Sequence, residues 1–173
     1  GGTLKAEGGF VETSAAKVQV QAGTQIQAGH WLLDPTNITI DAALASTLQG
    51  QLASGAATVT TASGNGDAGD ITVNSGITWS SGNTLTLRAD RNITINATLD
   101  ASGGSGGKLA LQYGQGAVAA NNTASYTINA PVNLKAGTNF STRLGSDGPT
   151  NTFVVVTTAD NLQAIPWSGR YAL

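Results

Sequence analysis

The only histidine, His30, stands four residues before Asp34. An imidazole steadied by a carboxylate is the start of a general-base or triad arrangement. A triad also needs a nucleophile converging on the pair, and a metal centre needs further ligands, which the neighbouring sequence does not supply. His30 therefore reads as a turn residue beside an inward Trp31. Arg88, Asp90 and Arg91 form the densest charge cluster, and an acid flanked by arginines on one outer face is the best case for cleaving a polysaccharide. Strand alternation around an inward Leu87 and Ala89 already requires polar residues there, so the cluster reads as a solvated face. Asp67 and Asp70 sit beside glycines as in calcium turns, but the nonapeptide repeat that builds such sites is absent. Gly103, Gly104, Gly106 and Gly107 do not open a helix after a strand, so a phosphate cradle has no support. No catalytic, cofactor-binding or metal-ligating residue is assigned, and no cofactor is expected.

Two residue sets carry chemistry of another kind. Trp31, Trp79 and Tyr113, with Trp167 and Tyr126, have rings that could stack on sugars. Parity argues the other way for two of them. Trp79 shares a face with Ile77, and Tyr113 with Leu109 and Leu111, so both belong to a packed interior. Five Asn-x-Ser/Thr sequons, at Asn37, Asn92, Asn96, Asn121 and Asn139, are acceptors for glycosylation, though a chain this rich in Thr generates many by composition.

The elements that position these residues are mostly strands. Val18 to Val20, Ile38 to Ile40, Val59, Ile71 to Val73, Leu85 to Leu87, Ile93 to Ile95, Leu109 to Leu111 and Val132 to Leu134 alternate apolar with polar over short spans. Between them fall turn-forming clusters such as Gly64 to Asp67, Ser80 to Asn83 and Ser102 to Gly107. One pattern recurs, running from Val18 to Ile26, from Leu85 to Ile93 and from Val132 to Phe140, with alanine at Ala22, Ala89 and Ala136. A step of roughly 22 residues, within the range of a solenoid repeat, carries Ile71 to Ile93 and Leu87 to Leu109. The expected fold is all-β, a right-handed parallel β-helix (β-solenoid) with one short helix packed on it. Inward residues should form ladders, and Asn or Thr at turns should stack side chain upon side chain. The helix is expected around 41–53, where Leu44, Leu48 and Leu52 recur four apart, Asp41 offers an N-cap and Gly55 a stop.

The 173 residues suit one domain, with 40% hydrophobic and 10% charged residues, 23 glycines and neither cysteine nor methionine. Eight Lys and Arg against ten Asp and Glu leave a net charge of −2, without the basic surface that nucleic-acid binding requires. No apolar run approaches the roughly 20 residues that cross a bilayer, so no membrane insertion is expected. The absence of cysteine excludes disulfides and thiolate sites and suits a chain exported unfolded. Gly1 begins without a basic, apolar leader, which favours an internal piece of a longer stack whose raw ends would associate end to end.

Several blocks resemble the filamentous haemagglutinin family of large bacterial exoproteins exported by two-partner secretion. They are Gly9 to Ser14, Gly29 to Pro35 running into Asn37 to Ile40, Gly69 to Asn74 with Ile77 to Trp79, Leu85 to Asp90, Leu109 to Gly114 and Asn139 to Gly148. The resemblance covers nearly the whole chain, in one order, and is most specific at Trp31 to Pro35 and Phe140 to Gly148. It implies a β-helical segment of a secreted, cell-surface adhesin. Its partners would be a host-cell, matrix or bacterial surface receptor, with glycan among the options, and an outer-membrane transporter for the parent protein. It implies no catalysis, so the chain would act as a rigid rod. A glycan-binding module and a polysaccharide-degrading enzyme are the alternatives.

Overall fold

The structure is a computed structural model that describes residues 1–63, 67–164, 166 and 168–173. Gly64 to Gly66, part of an expected turn, and Trp167, one of the stacking candidates, lie outside them. Fifteen strands are described: β1 (Thr3–Ser14), β2 (Gln25–Asp34), β3 (Ile38–Ile40), β4 (Ala56–Thr60), β5 (Ile71–Val73), β6 (Ile77–Thr78), β7 (Thr84–Arg88), β8 (Ile93–Ile95), β9 (Leu99–Ala101), β10 (Lys108–Tyr113), β11 (Tyr126–Ile128), β12 (Val132–Leu134), β13 (Gly137–Leu144), β14 (Asn151–Val155) and β15 (Tyr171–Ala172). Two helices, α1 (Ala42–Ser54) and α2 (Ala159–Gln163), complete the fold.

The strands form three sheets. The largest has eight strands in the order β1-β2-β4-β7-β10-β13-β14-β15; a second has four, β11-β8-β5-β3; a third has three, β12-β9-β6. From β4 to β12 the chain visits them in strict rotation, so each strand pairs in parallel with the one three elements later. The expected all-β, right-handed parallel β-helix with one helix is corrected by this arrangement: the large sheet is mixed, two smaller sheets accompany it, and the described residues include two helices. The mixing has a local cause. Only residues 145–150 separate β13 from β14, too few for the crossover a parallel neighbour requires, so Phe140 faces Phe153 in an antiparallel pair.

Register bears out one expected step and revises another. Ile71 pairs with Ile93, Thr72 with Thr94 and Val73 with Ile95. Leu109, however, pairs with Leu85, and Leu87 with Leu111. The loop from Ser102 to Gly107 is longer than its counterpart after β6 and shifts the large sheet's register relative to the smaller ones. It folds back where Trp79 lies across Gly107, a position at which any Cβ would collide with the indole. The recurring alanine pattern is likewise not one structural unit. Leu85 and Leu87 lie in the large sheet, Val132 and Leu134 in the three-stranded sheet, and Val18 and Val20 in no strand.

Alternation puts every second residue inside. Leu85, Leu87, Ile93, Ile95, Leu99 and Leu111 are fully buried, and one continuous hydrophobic cluster runs from Ile26 to Val155. Helix α1 closes one side of it. The Asp41 side chain accepts the Leu44 N–H at 2.9 Å, satisfying an otherwise orphaned donor, and Leu44, Leu48 and Leu52 are buried as one stripe. Gly55 ends the helix with extended backbone, so glycine is required there because a side chain would strike the carbonyls of Ala28 and Gly29.

Candidate functional site

The most regular surface is the outer face of the four-stranded sheet. Parallel pairing in register, with a period of two along each strand, stacks like positions into columns at about 4.8 Å. Thr39, Thr72, Thr94 and Thr127 form the central column. On one side, side-chain oxygens tie each strand to the next. Asn37 Oδ1 accepts the Asp70 N–H at 2.6 Å, Asp70 Oδ1 the Asn92 N–H at 3.0 Å, and Asn92 Oδ1 the Ser125 N–H at 2.9 Å. On the other side the amides bond to one another: Asn96 Nδ2 donates to Asn74 Oδ1 at 3.0 Å and Asn129 Nδ2 to Asn96 Oδ1 at 2.8 Å. This is the side-chain stacking expected at the turns.

Charge on this face is paired between neighbouring strands. Arg91 donates from Nε to Asp70 Oδ1 at 2.9 Å and from Nη2 to Asp70 Oδ2 at 2.5 Å, a bidentate fork. That bond holds the Asp70 carboxyl below its usual range and raises the Arg91 guanidinium. Asp100, on the three-stranded sheet, is lowered by the hydroxyl and then the N–H of Ser102.

The candidate catalytic residues are not brought together. His30 Nε2 lies 2.8 Å from Thr58 Oγ1 and its ring meets Phe10 edge-on, so its bonded partner is Thr58 and not Asp34. Asp34 is instead raised by burial and by the neighbouring carboxylate of Glu12. Arg88 donates to Thr60 Oγ1 at 3.2 Å, Asp90 accepts the Ser63 N–H at 2.6 Å, and Arg91 belongs to Asp70. The cluster seen in the sequence is thus three separate attachments. Asp67, paired in the sequence with Asp70, accepts from Thr36 Oγ1 at 2.9 Å. Among the described residues no group of three or more His, Cys, Asp or Glu side chains gathers, and no helix is long and apolar enough to cross a membrane.

Burial sets what each sugar-stacking candidate presents. Trp31 is 1% and Trp79 4% exposed, with indole N–H groups donated to Thr13 Oγ1 and to the Asn83 carbonyl, so neither offers a ring face to a ligand. Tyr113 is half-buried against Tyr126, with centroids 5.2 Å apart, and burial raises its phenol. The sequons divide by what holds the amide. Asn96 and Asn139 donate from Nδ2, Asn139 to the carbonyls of Lys135 and Ala136. Asn37 and Asn92 are held through Oδ1. Asn121 is exposed, with a left-handed φ of 60° that asparagine tolerates.

Two buried amides escaped the sequence reading. Gln51 accepts the Ala28 N–H at 2.9 Å and donates to the carbonyls of Ala28 and Ala56, clamping α1 to β2 and β4. Gln115 donates to the Gly145 carbonyl at 2.9 Å. The signal for Gln51 was its place on the leucine stripe, three after Leu48; Gln115 has no such pattern. Comparison of the chain with protein-family models, curated proteins and solved structures found no match.

Proposed function

We propose that this chain is a structural and adhesive segment of a secreted bacterial surface adhesin, of the filamentous haemagglutinin kind that its sequence blocks resemble, acting by shape and surface and not by catalysis. The carrying observation is the way the outer polar side chains are used. Asn and Asp in register are spent on bonding one strand to the next, through the Asn74, Asn96 and Asn129 amides and the Asn37, Asp70 and Asn92 oxygens. Such columns resist bending, since displacing one strand breaks bonds on both sides of it. A stiff body with a repetitive, nearly uncharged face suits holding a contact surface away from a cell, where a host, matrix or bacterial receptor would meet it. The outer-membrane transporter belongs to the export of the parent protein.

Beads coated with the chain should attach to host cells or extracellular matrix and release no reducing ends from polysaccharides. Release of reducing sugar overturns the reading in favour of an enzyme. Selective retention on a glycan array, without attachment to matrix protein, replaces it with a glycan-binding module.

A further inference from the structure

The two ends of the smaller sheets differ. At one end, β3 and β6 are edge strands, and α1 lies against them. Gln49 Oε1 accepts the Thr78 N–H of β6 at 2.8 Å, and the inward residues of these edges, Ile40 and Ile77, are fully buried. At the other end, among the described residues, β11 bonds only to β8 and β12 only to β9. Beyond them lies an open groove of about 880 Å³ whose apolar walls include Ile128, Val132, Leu134, Phe140, Val155 and Val156. The loss of cover is sharpest at Ile128, 43% exposed where Val73 and Ile95 before it in the same ladder are fully buried, while Leu134 at the far end of the groove stays buried. The asparagine ladder also stops open. Asn74 and Asn96 each accept an amide N–H from the next asparagine, while Asn129 Oδ1 accepts nothing among the described residues.

Each pair of strands in this stack has one pattern. Ile71, Val73, Ile77 and Trp79 are followed by Ile93, Ile95, Leu99 and Ala101, then by Tyr126, Ile128, Val132 and Leu134, with Asn74, Asn96 and Asn129 at the bend. We propose that the groove is a docking site for an extended polypeptide segment with apolar residues at i, i+2, i+6 and i+8 and asparagine at i+3. The segment would add in parallel to β11 and β12, its backbone pairing with the two free edges and its asparagine donating to Asn129. Strand addition takes affinity from main-chain hydrogen bonds and specificity from alternate side-chain sockets, and both are present here. The inference does not depend on the adhesin reading.

The probe is a labelled peptide of this chain's own residues 93–101, which carries the pattern, titrated into the intact protein. Saturable binding is expected. Ile95→Asp within the peptide places a charge in the Ile128 socket and should weaken binding by at least about tenfold, while Thr94→Asp, on the outer face, should change it by no more than about twofold. Hydrogen exchange on the unaltered protein should show new protection confined to residues 126–134. Absence of saturable binding, equal binding of the two altered peptides, or protection at the β1 edge instead would overturn the proposal. So would self-association of the protein through this groove that the peptide cannot compete away.

Discussion

Leu87 and Arg88 are neighbours in β7 with opposite surroundings. Leu87 is fully buried in the continuous core, and Leu87→Ala should cost about 2–5 kcal/mol, from lost transfer free energy plus the cavity left behind. Arg88 is half-buried with one side-chain bond, to Thr60, and Arg88→Ala should cost less than about 1 kcal/mol; urea unfolding of both variants checks the contrast. Two carboxylates give opposite pH signatures. Asp70 is held below its usual 3.8 by Arg91, so its contribution is complete above that value and fades as pH falls through the lower folded value. Asp70→Asn keeps an acceptor for the Asn92 N–H but loses the ion pair, and should lower the melting temperature at pH 7, by progressively less as pH falls through the lowered value. Asp34 is raised, by burial first and Glu12 second, so what it contributes is present at acid pH and is lost as pH rises through the raised value. Asp34→Asn should therefore raise the melting temperature at pH 7 and leave it unchanged at about pH 3.

At the scale of elements, α1 is fastened by more than its leucine stripe. Leu48→Asp buries an unpaired charge and should destabilise by a few kcal/mol, at least about 3, whereas Ser46→Asp, on the exposed face, should be nearly silent in thermal melts. Helical geometry alone places Gln49 about 100° from Leu48 and free to vary. Its bond to the Thr78 N–H makes Gln49→Asp more damaging than that geometry suggests. Gln51→Leu should destabilise despite adding apolar surface, because the Ala28 N–H and the carbonyls of Ala28 and Ala56 lose their partner, at about 1–3 kcal/mol for each group left unsatisfied. In the asparagine ladder, Asn96→Ala removes bonds to both neighbours and should cost about 1 kcal/mol or more, against a change near zero for Asn121→Gly.

For the molecule as a whole, one hydrophobic cluster links β2, α1, all three sheets and β14. Strands of one sheet cannot be removed without uncovering the others, so the chain should unfold in a single step, with far-UV dichroism and tryptophan fluorescence reporting the same midpoint. Two separated transitions would mean that the β1 and β2 end opens independently of the rest.

Inside-outside assignment was legible in the residues themselves: Ile71, Val73, Ile93 and Ile95 alternate with threonines, and the period of two is a local property that holds whatever the strand pairs with. The helix was legible for the same reason, since the Asp41 cap and the leucine spacing act within a few residues, and α1 (Ala42–Ser54) falls within a residue of the expected span. Parity also read Trp79 as core, and Trp31, read as inward beside His30, is buried as well. Pairing was legible between Ile71 and Ile93 but not in the large sheet. Whether Leu87 meets Leu109 or Leu111 depends on two extra residues in a glycine-rich loop, and the antiparallel β14 depends on the shortness of residues 145–150. The scattering of Arg88, Asp90 and Arg91 among Thr60, Ser63 and Asp70 likewise depends on which strands lie alongside. Those choices join residues beyond the reach of any local period, some 20 to 30 positions apart in the parallel pairs, where loop length and the packing of the whole core set the register.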